Sequence, residues 1–277
     1  MKNLWIVLSL IFSVSCASHK PAEPPPPPAP IAKPLPKTLD EAVNSDFRTE
    51  KNKARDTYRH PLATLQFFEV QPDQTVIEIS PAGGWYTEIL APLLATKGQY
   101  VGTVKKADLS DKMNADLKAW VDKNPEASSK AKFVEFGGDN WKLGDDGSAD
   151  RVLTFRNVHN WMIAKKEKDY FKAFYAVLKP GGILGVVEHR AGKKTKSKNG
   201  DKGYVQEKYI IDLAKKAGFK LMAKSEINAN PKDTKDYPEG VWTLPPTLRL
   251  GDKDRDKYLA IGESDRMTLK FIKPVKK

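Results

Sequence analysis

Hydrophobic and polar positions along the chain change period repeatedly, and each change marks an element. Thr75 to Ile79 (TVIEI) is a short apolar run between turn formers, the pattern of a strand buried on both faces. WYTEILAPLL, starting at Trp85, returns to apolar residues at helical spacing. The same switch recurs down the chain. Strands are predicted over QYVGTV (Gln99 to Val104), AKFVEF (Ala131 to Phe136), DRVLTF (Asp150 to Phe155) and GILGVVEH (Gly182 to His189). Between them, DLSDKMNADLKAWVDK and EKDYFKAFYAVL read as helices, and KPGG stops the second. A helix within YVQEKYIIDLAKKAGFKL ends at Gly218 and leads into a strand from Phe219, and RMTLKFIKP is the last strand. Ahead of all this, TLDEAVNSDFRTEKNKARDTYRHPLATLQFFEV reads as helical segments broken before Pro61.

Strands alternating with helices predict an α/β fold: a doubly wound, seven-stranded sheet, mostly parallel. The closing order of helix, strand, long loop and strand predicts an antiparallel pair at one edge, with the C-terminal strand as the antiparallel edge strand.

The first sixteen residues do not fit this pattern. Lys2 precedes an apolar run from Leu4 to Val14, too short to span a membrane as a mature helix but suited to a secretory signal. Ser13-Val14-Ser15-Cys16 is similar to a bacterial lipoprotein cleavage box, with Ser13 in place of the usual leucine. Cys16 is then lipidated; an ordinary signal peptide with an incidental cysteine is the alternative. Cys16 is the only cysteine, which excludes an intramolecular disulfide. PAEPPPPPAPIAKPLP favours extended polyproline II, reaching roughly 50 Å at about 3.1 Å per residue. The expected organisation is a signal peptide over 1–15, a Pro-rich tether over 16–37 and one domain over 38–277. The address is the cell envelope, lipid-anchored at the membrane through Cys16 and facing the periplasm or exterior.

Lys and Arg exceed Asp and Glu by 47 to 35, a formal charge of +12 that favours anionic surfaces or ligands. AGKKTKSKNGDKG (Ala191 to Gly203) concentrates five of the lysines against one aspartate. It suits an anionic substrate or lipid headgroups, or is simply a solvated loop. No nucleic-acid reading motif accompanies it, and nucleic acid is not expected as a partner.

Taken in order, EISPAGG, GGDNW, ADRVLTFRNVHNW and LKPGGILGVVEHR resemble the motifs of a class I S-adenosylmethionine-dependent methyltransferase, a Rossmann-like fold. The resemblance runs from about Asp46 to Pro274. More closely, RD-x-x-R-x-P followed by E-x-x-P-x-G-G-WYTEIL resembles a group of bacterial methyltransferases, several of them exported. The resemblance implies S-adenosylmethionine as cofactor, held by Glu78, Ser80, Ala82, Gly83, Gly84, Trp85, Tyr86 and Asp139. Ser80 and Ala82 stand where the general pattern has glycines, and Pro81 fixes φ and removes a donor, so the turn is expected to take a different path. Glu78 is expected to hydrogen-bond the cofactor's amino group or a loop amide, and Asp139 the adenine amine; a turn Asp capping the next helix is the alternative for Asp139. The second strand departs from the family: Val104 and Lys105 stand where an acid usually meets the ribose, and Asp108 comes too late.

Catalysis is expected from Asn157, His159, Glu188 and His189, which close two neighbouring strands. A histidine near neutrality suits a general base, and Glu188 either orients it or takes that role. Ligand spacing gives no support for a metal. Arg48, Arg55, Asp56 and Arg59 lie in the leading helical segment, expected to lid the cleft. Arg55 and Arg59 share a face suited to a carboxylate or phosphate, or to an ion-pair network. Two functions remain open: a methyltransferase acting on a small-molecule or envelope acceptor, or a non-catalytic, tethered binding module on a degenerate methyltransferase fold.

Overall fold

The computed structural model describes residues 33–193, 195 and 199–275. The signal peptide, Cys16, most of the Pro-rich tether and the centre of the lysine-rich loop lie outside the described residues. Four short helices lead in, α1 (Leu39–Val43), α2 (Glu50–Lys53), α3 (Asp56–Arg59) and α4 (Pro61–Phe67). Thr38 caps α1 by accepting from the Glu41 N–H, and Pro61 starts α4 where its missing N–H is not needed.

The alternating part then runs β1 (Thr75–Ile79), α5 (Thr87–Leu94), β2 (Gln99–Val104), α6 (Ala115–Lys123), α7 (Pro125–Ser128), β3 (Lys132–Glu135) and β4 (Ala149–Phe155). It continues with α8 (Val158–Ile163), α9 (Glu167–Val177), β5 (Leu178–His189), α10 (Glu207–Ala217), β6 (Lys220–Ser225), α11 (Arg255–Ile261) and β7 (Arg266–Ile272). The strand order is β3-β2-β1-β4-β5-β7-β6. β7 pairs antiparallel with both β5 and β6, and the remaining pairs are parallel. The C-terminal strand is therefore antiparallel as expected, but it is the inner member of the edge pair, and β6 takes the edge. KPGG differs too: α9 ends at Val177, and Lys179 to Gly182 form the irregular start of β5, with a register shift opposite Ala149 and Arg151.

Strand residues alternate between two cores. Ile77, Ile79, Val152, Leu184 and Val186 pack under α8, α9 and α10. Val76, Leu153 and Val187 pack under α1, α4 and α5. Burial on both faces explains why the central strands β1, β2, β4 and β5 read as continuous apolar runs. The strand order reverses between the parallel neighbours β1 and β4, with β2 and β3 following on one side and β5 on the other, and this switch point opens a crevice at the carboxyl ends of the strands.

Candidate active site

The turn after β1 occupies that crevice. Ser80, Ala82 and Gly84 all have left-handed backbones, with φ of 53°, 50° and 84°. The backbone is thus left-handed at Ser80 and Ala82, which stand where the resembled pattern has glycines, and at Gly84. For Ser80 and Ala82 this conformation costs about 1–2 kcal/mol each. Two bonds hold the turn: the Ser80 N–H donates to Thr103 Oγ1 at 2.9 Å, and the Gly84 N–H to the Pro81 carbonyl at 3.0 Å. A side chain at Gly84 would be strained by the φ of 84°, and its Cβ would sit 3.1 Å from Leu117 Cδ1 on α6, which would have to shift. Among the described residues, no acceptor meets the N–H groups of Ala82 and Gly83. Those two donors are free for an anionic group.

A cavity of about 550 Å³ lies beyond β1, β2 and β3, reached by Ser80 and Ala82. Phe136 and Tyr170 form an apolar wall, their rings edge to face at 5.3 Å. Asp139 lines it too, exposed on a tight turn closed by mutual Gly137–Asn140 backbone bonds. No helix follows before β4, so Asp139 caps none. Val104 and Lys105 border the cavity at the end of β2, as the sequence indicated. Asp108 does not reach it; its carboxylate accepts from the Ser110 N–H, which holds it below the usual range. The acid at this end of the sheet is instead Glu135, paired in register with Val104 one strand over.

Glu78 lines none of the three cavities. Alternation along β1 turns it to the Val76 face, under α5, where its Oε2 accepts from Thr87 Oγ1 (3.0 Å) and Tyr100 Oη (2.7 Å). Its partner is protein, and burial raises its carboxyl to about 7. Tyr86 likewise belongs to the core, stacked on Phe155 at 3.7 Å. Trp85 and Gly83 border a second cavity of about 770 Å³, where the guanidinium groups of Arg48 and Arg59 lie over the Trp85 ring at 5.1 and 4.6 Å from its centre.

His159 and Glu188 form a buried dyad. One Glu188 oxygen accepts from the Val158 N–H at 2.6 Å and the His159 N–H at 3.3 Å. The other accepts from the His189 N–H at 2.8 Å and lies 3.1 Å from His159 Nδ1. A carboxylate only accepts, so His159 donates from Nδ1, and in the neutral ring Nε2 is then the nitrogen that carries the lone pair. His159 lines a third cavity of about 340 Å³, and Glu188, fully buried, does not. Glu188 is therefore a positioning residue. Asn157 corrects the sequence reading: its Nδ2 donates to the Ile79 carbonyl at 2.9 Å and to Thr154 Oγ1, bracing β4 against β1 away from the cavities. His189 faces the third cavity with Nδ1 on Ser264 Oγ, and burial followed by the charges around it keeps it neutral. His159, Glu188 and His189 do bring one ligand atom each within 4.8 Å of one another. Both Glu188 oxygens, however, are committed to N–H donors.

Asp56 also leaves the predicted set, forming a two-bond pair with buried Arg48 at 2.6 and 2.7 Å. Arg55 and Arg59 do share a face and both turn to Glu263, at 2.7 and 3.5 Å. Arg156, Glu263 and Arg266 line the third cavity and were not singled out from the sequence. Arg156 had a signal, since it directly follows β4, again with a left-handed φ of 62°. Glu135, Phe136 and Tyr170 had none.

Residues 77–186 match the family model described as a methyltransferase domain. No curated protein matches the chain. Among solved structures, a SAM-dependent methyltransferase from Aquifex aeolicus is similar at 13% identity over 85% of this chain and 98% of that one, with a TM-score of 0.54. The [4+2]-cyclase SpnF is similar at 15% identity over 86% of this chain and 92% of that one, with a TM-score of 0.56. Phosphoethanolamine N-methyltransferase 2 of Haemonchus contortus, solved with S-adenosyl-L-methionine, is similar at 16% identity over 86% of this chain and 60% of that one, with a TM-score of 0.52. At such identities the likeness establishes the fold.

Proposed function

We propose that the chain is an S-adenosylmethionine-dependent methyltransferase acting on a small-molecule or envelope acceptor. The observation that carries this is the turn at residues 80–84. It has left-handed backbone at Ser80, Ala82 and Gly84 and leaves two N–H donors free at the crevice, within the segment that matches a methyltransferase domain. The chemistry of the donors suits the cofactor. The Ala82 and Gly83 N–H groups suit the methionine carboxylate. Phe136 and Tyr170 suit the adenine faces, Asp139 its amine, and Glu135 the ribose hydroxyls in place of the absent acid of β2.

Bound there, S-adenosylmethionine supplies an electrophilic methyl group. The chain's own part is to position the acceptor in the smaller cavity and manage its proton. His159 Nε2 takes a proton from the acceptor as general base, and Glu188 holds the ring in the tautomer that leaves Nε2 open. We further propose that the chain belongs to the exported bacterial group: a signal peptide over 1–15, lipidation at Cys16 and a tether over 16–37 place the domain in the cell envelope.

Calorimetric titration of S-adenosylhomocysteine tests the reading. Micromolar binding that weakens about tenfold in Asp139→Ala, one lost charged hydrogen bond, supports it. Absence of binding at millimolar concentration from a folded protein refutes it and leaves the tethered binding module.

A further inference from the structure

The cavity beside His159 is lined by four guanidinium groups, Arg55, Arg59, Arg156 and Arg266, and by one carboxylate, Glu263. Arg55, Arg59 and Arg266 all converge on Glu263, whose side chain is 3% exposed. Burial alone would raise the Glu263 carboxyl, but Arg266, Arg59 and Arg55 outweigh it and hold it at about 2. One carboxylate offers two oxygens, and they do not satisfy this set. Arg55 Nη2, Arg59 Nε and Arg266 Nε are buried without a hydrogen bond. Arg59 Nε is 3.5 Å from Glu263, too long for one. Arg156 makes no side-chain hydrogen bond or ion pair among the described residues. Burial and then Arg266 lower it to about 10.

A surplus of three positive charges in a partly closed cavity is costly for the empty protein. An arrangement that serves only stability would have matched these charges, as Arg48, although its Nε also lacks a partner, is matched by Asp56. Other parts of the lining are of another kind. Val241, Trp242 and Pro245 are apolar, and Trp242 stands edge-on to His159 at 6.0 Å. The cavity therefore combines cationic and apolar lining with a histidine base.

We propose that this cavity binds an acceptor through a dianionic phosphate-monoester group, with the acceptor's apolar part against Trp242 and Pro245. A single carboxylate would neutralise only part of the surplus, whereas a phosphate monoester carries close to two charges and three oxygens that guanidinium groups meet in pairs. The volume, about 340 Å³, admits a small phosphorylated molecule or the headgroup of a larger one. The anion site stands on the cluster alone; its meaning as the acceptor site rests on the methyltransferase reading.

The test titrates the full chain with phenyl phosphate, inorganic phosphate and benzoate at constant ionic strength. Phenyl phosphate should bind at least tenfold more tightly than benzoate and more tightly than inorganic phosphate. Arg156→Gln should weaken phenyl phosphate at least tenfold while leaving the melting temperature unchanged or raised, because it relieves repulsion. Arg55→Gln, at a more exposed position, provides the same readout should Arg156→Gln fail to fold. Equal affinity for benzoate, or retained phosphate affinity in the variants, overturns the proposal. So does competition between phenyl phosphate and S-adenosylhomocysteine, which would assign the arginines to the cofactor's carboxylate. If phenyl phosphate binds as expected and S-adenosylhomocysteine does not, the methyltransferase reading falls and the anion site stands.

Discussion

Glu188→Gln removes one charge and changes no volume, yet the surroundings of Glu188 make it a severe change. The carboxylate receives four contacts from N–H groups, with His159 Nδ1 among them. An amide offers one acceptor oxygen and one donor NH₂ group, so in either orientation two donors face a donor. Lost charged hydrogen bonds are worth about 1.5–3 kcal/mol each, and unmaking a buried charged network costs about 3–5 kcal/mol in all. For a domain of this size that is a melting temperature lower by roughly 6 to 20 °C. The chemical effect is separate. With the NH₂ group toward His159, Nδ1 becomes an acceptor and the ring proton moves to Nε2, the atom that faces the cavity. Nitrogen-15 NMR of the histidines reads this directly: Nδ1–H in the wild type, Nε2–H in the variant, with methyl transfer down about 10²-fold or more. An Nε2–H tautomer in the wild type, or a variant that melts within 2 °C of it, would refute the dyad.

Four further outcomes follow from the same geometry. Ala82→Gly should relieve the left-handed strain and, after allowing for a freer unfolded chain, stabilise by about 0.5–1 kcal/mol in urea unfolding. Glu78 has a folded-state value raised by burial from 4.5 to about 7. The folded state thus binds its proton more tightly, and the associated stability is intact below pH 4.5 and lost as pH rises to about 7, a loss of about 3 kcal/mol. Glu78→Gln keeps an oxygen for Thr87 and Tyr100, so it should match the wild type at pH 4.5 and exceed it at pH 8 in denaturant titrations. Gly200→Ala puts a Cβ 2.8 Å from the His159 carbonyl oxygen, at a φ of +77°. It should destabilise by about 1–3 kcal/mol and shift the His159 resonances. Glu263→Gln strips the arginine cluster of its one carboxylate; it should destabilise by about 3 kcal/mol, with much of that recovered in excess phosphate as thermal melts will show.

The centre of the sheet was legible because β1, β2, β4 and β5 are buried on both faces, which leaves short apolar runs that a doubly wound architecture explains; β3 and β6, at the two edges, are far more exposed. Edge order was less legible. Nothing in RMTLKFIKP distinguishes the inner from the outer member of an antiparallel pair, and only the pairing of β7 with both neighbours decides it. Within the site, motif position located the 80–84 turn, His159 in the first turn of α8 and Asp139, but motif position does not say where a side chain points. Glu78 falls on the core face of β1 by parity, and Asn157 spends its amide on the Ile79 carbonyl. The arginine cavity was half visible. Arg55 and Arg59 could be placed on one face by spacing, but their counterparts Glu263 and Arg266 come from the far end of the chain, and no local pattern links them.

That distance bears on how the protein is made. Arg55 and Glu263 are 208 residues apart, and Arg266 opens the last strand. The turn at 80–84 and the 550 Å³ cavity are complete once β4 and α9 have formed, well before the chain ends. The cavity beside His159 also needs Glu263 and Arg266, so it is complete only once β7 is paired with β5 and β6, a pairing that carries a high loop-closure cost. A nascent or truncated chain ending before residue 263 would therefore carry the first pocket without the second, and competence of the whole cleft reports that synthesis has reached its last strand.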